Sequence, residues 1–489
     1  MSNEELIAQK DAIISKQSRT IEHLEFQLAQ LQKLVYGSKR EKFVPTVTAD
    51  QMNLFEGAQQ DQSQEASEEQ TEQITYTRKK SKEHPGRNAL PSHLPVEEII
   101  IEPNEDFSQM EKIGEEVTET LEYTQASLKI KRVIRPKYVD RKKEQIHTAQ
   151  LPERPFPKLI AETSLLGHIL VSKFIDHLPY YRQIKRFDRD FKWKVSQSTI
   201  NNWMAACCTL LKPLYEQMQQ QVLESDYIQA DESPIKVLDP DKKGKTHLGY
   251  QWVYHAPKKG IVVFHYRRGR GMHGPKEFLM QYQGRLQCDG YKVYDKIGQR
   301  QGIELIGCMV HARRKFYEAK DSDEKRSQYA LNIFKQIYGI ERENKQKSIN
   351  EKQTVRLNKI KPLMNKLLEW IQKESLLVLP KSPIGKAMTY YQNQWLKLKN
   401  ILLHPEIELD NNLIENKIRP LALGRKNYLF AGSDRGAEWA AMMYSFFGTC
   451  KIQNTNPYDW LVDVMNRIGN TSILDLEKLL PKNPNQSER

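Results

Sequence analysis

Three carboxylates in this chain, Asp231, Asp289 and Glu415, stand where they can act together. Asp231 ends a β-rich run inside SDYIQADESPIKVL, Asp289 precedes Gly290 at the end of RLQCDG, and Glu415 lies on the helix-forming run NNLIENKIRPL. Strand ends and a packed helix can converge on one point, where clustered carboxylates repel unless a cation neutralises them. Hard oxygen ligands of this kind select Mg2+ or Mn2+. Two such ions suit an in-line displacement at a phosphodiester. The chain holds 62 acids, so each carboxylate also has an ordinary role open to it. Asp231 can cap a turn with Pro234, Asp289-Gly290 can form a tight turn, and Glu415 can pair with Arg419 at i,i+4 on a surface helix.

Basic groups flank these acids. His311, Arg313, Arg314 and Lys315 follow the apolar strand IELIGCMV directly and can approach phosphates, or form a solvated basic face. In the stretch around Glu415, Asp410-Asn411-Asn412 opens a helix whose Ile414, Ile418 and Leu421 form one buried stripe. Pro420 is expected to end or kink that helix, leaving Gly424-Arg425-Lys426-Asn427 as a basic loop. Arg425, Lys426 and Asn427 would then face a phosphate backbone or stabilise charge in a transition state.

The elements that must position these groups follow from patterning. Ile7, Ile14, Ile21, Leu28 and Val35 recur every seven residues, with Leu24 and Leu31 completing the seam and Lys10 and Gln17 weakening its start. A dimerising coiled coil is expected over 1–43. Residues 44–84, rich in Gln, Glu, Ser and Thr, read as a disordered linker. A small β-rich module is expected over 85–155, with no cysteine in it. Residues 156–221 carry helical periodicity, with Ser196 or Ser198 as an N-cap, and are compatible with a helix-turn-helix. From 222 to 320 the order is three strands, a helix, two strands and a helix, which defines an α/β layered domain. A charged helical insertion (321–404) separates it from its second part, 405–450, which bears Glu415. Asn456 and Pro457 open a helix in the tail, 451–489.

The net charge is +13, and Phe43–Thr77 holds seven acids with no Lys or Arg, so the remainder carries +20. That balance favours a polyanion partner. Five scattered cysteines make no disulfide framework, and Cys207, Cys208, Cys288 and Cys308 are expected as small buried residues. The N-terminus lacks a secretory pattern and no apolar run approaches the ~20 residues of a membrane span. A cytoplasmic protein without membrane contact is expected.

The blocks ADESPIKVLD, CDGYKVYD, HARRKF and DNNLIENKIRPLALGRKNYLFAGSDRG resemble the DDE transposases of the insertion-sequence-66 family. GRNALPSHLP, IRPKYV, VSKFIDHLPYYRQ and the heptads ending in VYGSKREKF are similar as well, in the family's order. The resemblance implies an RNase H-like catalytic domain with Asp231, Asp289 and Glu415 as the metal-binding triad, holding two Mg2+ or Mn2+ ions. It implies cleavage at the ends of a mobile element and strand transfer into double-stranded target DNA, by a homodimer or higher oligomer at the nucleoid. Accessory proteins of the same element are implied as partners. A structure-specific nuclease on the same scaffold and a non-catalytic DNA-binding protein are the alternatives. The chain departs from the family at a zinc module often bearing Cys-x-x-Cys pairs. Asp106-Phe107-Ser108 and Val139-Asp140-Arg141 stand near those places, so a metal-free relic without zinc is expected.

Overall fold

The computed structural model describes residues 127–132, 137–140, 145–148 and 154–482 apart from position 243. The expected coiled coil, the linker and most of the β-rich module lie outside these residues. Two short strands of that module, β1 (Lys137–Asp140) and β2 (Gln145–Thr148), form an antiparallel ladder in which Lys137 pairs with Thr148.

Three helices come next: α1 (Thr163–Phe174), α2 (Tyr180–Phe191) and α3 (Gln197–Leu223). The Ser196 hydroxyl caps α3 by accepting from the Thr199 amide at 3.1 Å, as its sequence signalled. A short turn with Lys192 at φ 53° joins α2 to α3. Ile200, Trp203, Leu211, Leu214 and Met218 bury the inner face of α3, and the Tyr215 hydroxyl donates to the Phe264 carbonyl at 2.5 Å. This helix therefore covers the sheet that follows.

That sheet contains β3 (Tyr227–Leu238), β4 (Thr246–Ala256), β5 (Ile261–Arg267), β6 (Gly284–Gln287) and β7 (Ile303–Ile306), in spatial order β5-β4-β3-β6-β7. β3, β4 and β5 are antiparallel; β6 and β7 run parallel to β3. Gln251–Ala256 and Ile261–Phe264 are buried without alternation, as strands covered on both faces must be. Short helices α4 (His273–Phe278) and α5 (Lys292–Ile297) sit in the crossovers. The outer edge of β5 is closed by α12 (Asp434–Ile452), where Ser445 and Thr449 accept from the Phe264 and Val262 amides at 2.8 and 3.2 Å. A helical i,i+4 step (~6 Å) matches a strand i,i+2 step (~6.6 Å), so two hydroxyls can pair an edge that would otherwise invite aggregation.

Two expectations need correction. Asp231 does not end its strand, and Pro234 makes no turn, because β3 continues through both to Leu238. β6 covers β3 only at Tyr227–Gln229. Beyond that, even-numbered residues point their backbone groups at an edge without a strand. There Ala431 donates to the Lys236 carbonyl at 2.8 Å and receives the Leu238 amide at 2.9 Å. Pro234 has no N–H to leave unpaired at this edge, so the strand tolerates it.

Nor does Pro420 end its helix. α11 (Asn412–Tyr428) runs through it, so Gly424-Arg425-Lys426-Asn427 is helical rather than a loop. An interior proline costs ~3 kcal/mol, and burial of Ile414, Ile418 and Leu421 on one face offsets that. Gly424 is required by packing, since a Cβ there would run into the Tyr444 hydroxyl. The helix ends at Leu429 (φ 64°), where the Phe430 amide reaches the Tyr428 carbonyl at 2.7 Å in a strained γ-turn.

The insertion is helical, as expected. After α6 (Met309–Glu318) come α7 (Glu324–Glu343), α8 (Ile349–Val355), a π-helical turn (Arg356–Ile360), α9 (Lys361–Glu374) and α10 (Pro383–Asn400). Phe316, Phe334, Met364, Ile371, Met388 and Tyr391 build a second apolar core, distinct from the one beneath the sheet. In the tail, Asn456 caps α13 (Pro457–Arg467) by accepting from the Tyr458 and Asp459 amides.

Candidate active site

Register brings the first two carboxylates towards each other. Gln229 on β3 pairs with Gln287 on β6, the last rung of that ladder, and Asp231 and Asp289 each lie two residues further along. The ladder and β6 stop there, so the two aspartates stand just past it, near enough for the Asp289 charge to act on Asp231. Below them the rung is fastened by buried amides: Gln229 Nε2 donates to Gln287 Oε1 at 2.9 Å, and the Tyr227 hydroxyl donates to the same oxygen at 2.6 Å. His255 closes this network, with Nδ1 3.2 Å from Gln229 Oε1.

Glu415 is delivered to the same place by the chain before α11. Asn411, expected as a helix cap, makes no capping bond. Its side chain donates instead to the Ala230 carbonyl at 3.1 Å, and its amide meets Cys308 Sγ at 3.2 Å. The first turn of α11 is thereby docked on β3 one residue before Asp231, and Glu415 lies in that turn, where the helix dipole favours a negative charge.

The electrostatics are those of convergent carboxylates. Burial, with Glu232, Asp289 and Glu415 as like-charged neighbours, pushes the Asp231 carboxyl well above the usual carboxylate range. Asp289 is raised by burial and partly relieved by the Tyr291 amide, which donates to its Oδ1 at 2.9 Å, and by Arg270 and Lys397. Glu415 is raised by burial, against the pull of Arg314. It is 6% exposed, and its Oε1 is buried without a hydrogen-bond partner. Arg314 Nη2 stands 3.5 Å from Oε2 and His311 Nε2 stands 3.7 Å from Oε1. The His311 imidazole adds no charge, because burial, Arg314 and Lys315 push it down to about 3.

Among the described residues, no three His, Cys, Asp or Glu side chains close tightly enough to cage a metal ion. The donor set nonetheless fits a hard cation in kind. It consists of carboxylate oxygens with surplus negative charge, one of them buried and unpartnered.

The "Transposase IS66 family" model matches residues 158–439, from the turn before α1 to the second turn of α12 and more than half of the chain. The chain belongs to the IS66 transposase family. A model described as "Transposase C of IS166 homeodomain" matches residues 23–99, and the "IS66 C-terminal element" matches 445–481. Two relatives from Sinorhizobium fredii (strain NBRC 101917 / NGR234) are each 30% identical. Uncharacterized protein y4jD is matched over 96% of this chain and 96% of its own length; uncharacterized protein y4hP over 94% and 88%. No helix among the described residues is long and apolar enough to cross a membrane.

The basic residues singled out in this transposase divide into groups. His311 and Arg314 on α6 face Glu415. Lys315 pairs with Glu318 at 3.0 Å and lines, with Lys386 and Tyr390, a cleft of about 500 Å3 between α6 and α10. Tyr390 packs on Gly290, beside Asp289. Arg313 is half-buried on the same helix. Arg425 stands at the far end of α11 and supports the fold there. It donates to Ser233 Oγ at 3.0 Å and to the Pro234 carbonyl at 2.5 Å, satisfying the open edge of β3. Lys426 is exposed, and Asn427 accepts from Arg182 at 3.5 Å. Sequence reasoning missed Glu232, whose side chain is 4% exposed beside Asp231, and its partner Arg270. The signal available was ADE itself, a second acid one residue on, facing the opposite side of the strand.

The buried rung makes a pH prediction. Burial, reinforced by Lys417, pushes His255 down to about 3, against roughly 6.5 in an unfolded chain. Between these values the folded state binds fewer protons than the unfolded state, so stability falls as pH drops through that window. His255→Gln is expected to narrow the gap between the melting temperatures at pH 7 and pH 5. An unchanged gap would show that this imidazole does not govern the acid limb.

Proposed function

We propose that this member of the IS66 transposase family is a DDE-type polynucleotidyl transferase that cleaves phosphodiesters at the ends of its element and joins the freed ends to target DNA. The observation that carries this reading is the convergence of Asp231 and Asp289, each two residues past the paired Gln229 and Gln287, with Glu415 docked on the same strand through Asn411. Three antiparallel strands followed by two parallel ones, with one carboxylate on the central strand, one just past the end of its parallel neighbour and one on a later helix, suit an RNase H-like catalytic domain.

Asp231, Asp289 and Glu415 are the residues that would hold Mg2+ or Mn2+, and two such ions would supply stabilisation of the attacking and leaving oxygens. The protein's own groups set the stage. The Glu232 and Tyr291 amides each fix one oxygen of Asp231 and Asp289, at 2.8 and 2.9 Å, and so orient both carboxylates before any substrate arrives. Arg314, beside Glu415, is placed to meet a phosphate oxygen as charge builds on it. Water is the first nucleophile and the freed 3′-hydroxyl the second, both displacing in line, with no covalent enzyme intermediate. The N-terminal heptads would pair subunits so that two element ends are held together at the nucleoid, with accessory proteins of the same element as possible partners.

Labelled element-end DNA incubated with the chain and Mg2+ or Mn2+ is expected to yield cleaved and joined products. Cleavage without joining would favour a structure-specific nuclease. Binding without metal-dependent cleavage would favour a DNA-binding protein.

A further inference from the structure

The segment from the end of β5 to the start of α4 reads Arg267-Arg268-Gly269-Arg270-Gly271-Met272-His273. Its glycines have no packing duty. A Cβ on Gly271 would meet nothing within 4 Å, and one on Gly269 only the Gly271 nitrogen at 4.0 Å. Neither has a positive φ. Glycine without a steric or dihedral reason leaves room for a ligand backbone to approach closely, or for the segment to move. Arg268 and Arg270, with side chains 56% and 48% exposed, flank the first of them.

Arg270 ties this segment to the catalytic carboxylates. Its Nε and Nη2 both donate to Glu232 Oε1, at 2.8 and 2.6 Å, while Glu232 Oε2 is buried, takes nothing from Arg270 and has the Tyr294 hydroxyl as its neighbour. An arginine facing a carboxylate normally engages both oxygens, so this pairing is incomplete. The Arg270 guanidinium also lies 4.3 Å over the Tyr291 ring, whose hydroxyl donates to the Arg270 carbonyl at 2.7 Å. Tyr291 and Glu232 are the residues whose amides hold Asp289 and Asp231. The Arg270 side chain is thus half in solvent, bound through one oxygen of Glu232, and near enough to Asp289 to act on its charge.

We propose that residues 267–273 form a phosphate-gripping loop for the DNA strand entering the active site, with Arg270 exchanging Glu232 for a backbone phosphate. The inference rests on the DNA-transposase reading and adds the binding loop to it. Tyr291, stacked on the guanidinium, keeps it near Asp289 during the exchange.

The test uses the full-length chain in EDTA, with a duplex of element-end sequence and affinity measured across a salt series. Each arginine-phosphate contact contributes roughly 0.9 to the slope of log affinity against log salt. The double variant Arg268→Gln/Arg270→Gln is expected to bind more weakly and to lose about 2 from that slope. Glu232→Gln is expected to bind several-fold more tightly, because it frees Arg270. Both changes break the same ion pair, so a merely structural role would move affinity in one direction for both. Opposite signs with a flattened slope support the loop. Shifts of the same sign, an unchanged slope, or a parent chain that binds no duplex would overturn it. Because no cleavage occurs in EDTA, failure of the parent chain to join DNA when metal is supplied counts against the transferase reading and leaves the slope result standing.

Discussion

Glu415→Gln is expected to abolish strand joining while leaving the metal-free chain as stable as the parent, or slightly more so. Activity should fall to about one thousandth or less, the scale of losing a principal transition-state contact. The stability forecast follows from the environment. The Glu415 carboxyl is buried, its Oε1 has no hydrogen bond, and burial holds it above the usual carboxylate range. An ionised form so disfavoured by the fold works against folding, and an amide of the same shape relieves that. Arg314 loses its partner, but its side chain is 26% exposed and can turn to water. Added Mg2+ should raise the melting temperature of the parent chain more than that of the variant, which keeps two of the three carboxylates. Joining within tenfold of the parent would remove Glu415 from the site. A large loss of stability would show that its role is to hold α11 in place.

This opposition between stability and activity explains what the sequence could and could not disclose. Residue type and local pattern were enough for the strands of the α/β core, the Ser196 and Asn456 caps, the Ile414-Ile418-Leu421 stripe and the burial of Cys207, Cys208, Cys288 and Cys308. They also placed Asp289 just past a strand end. Each of these depends on neighbours within a few residues. The approach of Asp231 to Asp289 does not, because it follows from the pairing of β3 with β6, which ends two residues before them and spans some sixty positions. The two misreadings share that cause. Pro420 and Pro234 are local breakers by rule, but a packed helix face overrides the first and an edge without a strand tolerates the second. Arg425 looked like a ligand for phosphate because it was read in a loop; in the helix, it is the donor that closes β3. Glu232 escaped notice because an acid beside a catalytic acid reads as surface, whereas on a strand covered on both faces it too is buried.

The largest loss of stability is expected from Arg356, a residue far from the carboxylates in sequence but joined to them through the chain. Arg356 opens the π-helical turn between α8 and α9 and is 1% exposed. All five of its N–H groups are used. Nε donates to Glu341 Oε2 at 3.1 Å and Nη2 to Glu341 Oε1 and to the Ile407 carbonyl. Nη1 donates to the Ile401 and His404 carbonyls at 3.1 and 2.8 Å. The three carbonyls lie on the strand of chain that leaves the insertion and leads, through Asn411, to Glu415. Arg356→Met leaves a half-buried carboxylate and three carbonyls without their donor, and should cost about 3–5 kcal/mol. Arg356→Lys should recover little, since an ammonium presents three donors from a point and cannot span Glu341 and the carbonyls together. Denaturant midpoints give the magnitude, and hydrogen exchange gives the location: protection should fall in α7–α10 and in 401–411 before it falls in β3–β5. Joining activity should fall with it, because Glu415 then hangs on a segment no longer tied down. A loss below about 1 kcal/mol would mean that the carbonyls find other donors. The insertion would then be a separate body and not the brace that holds the third carboxylate against the sheet.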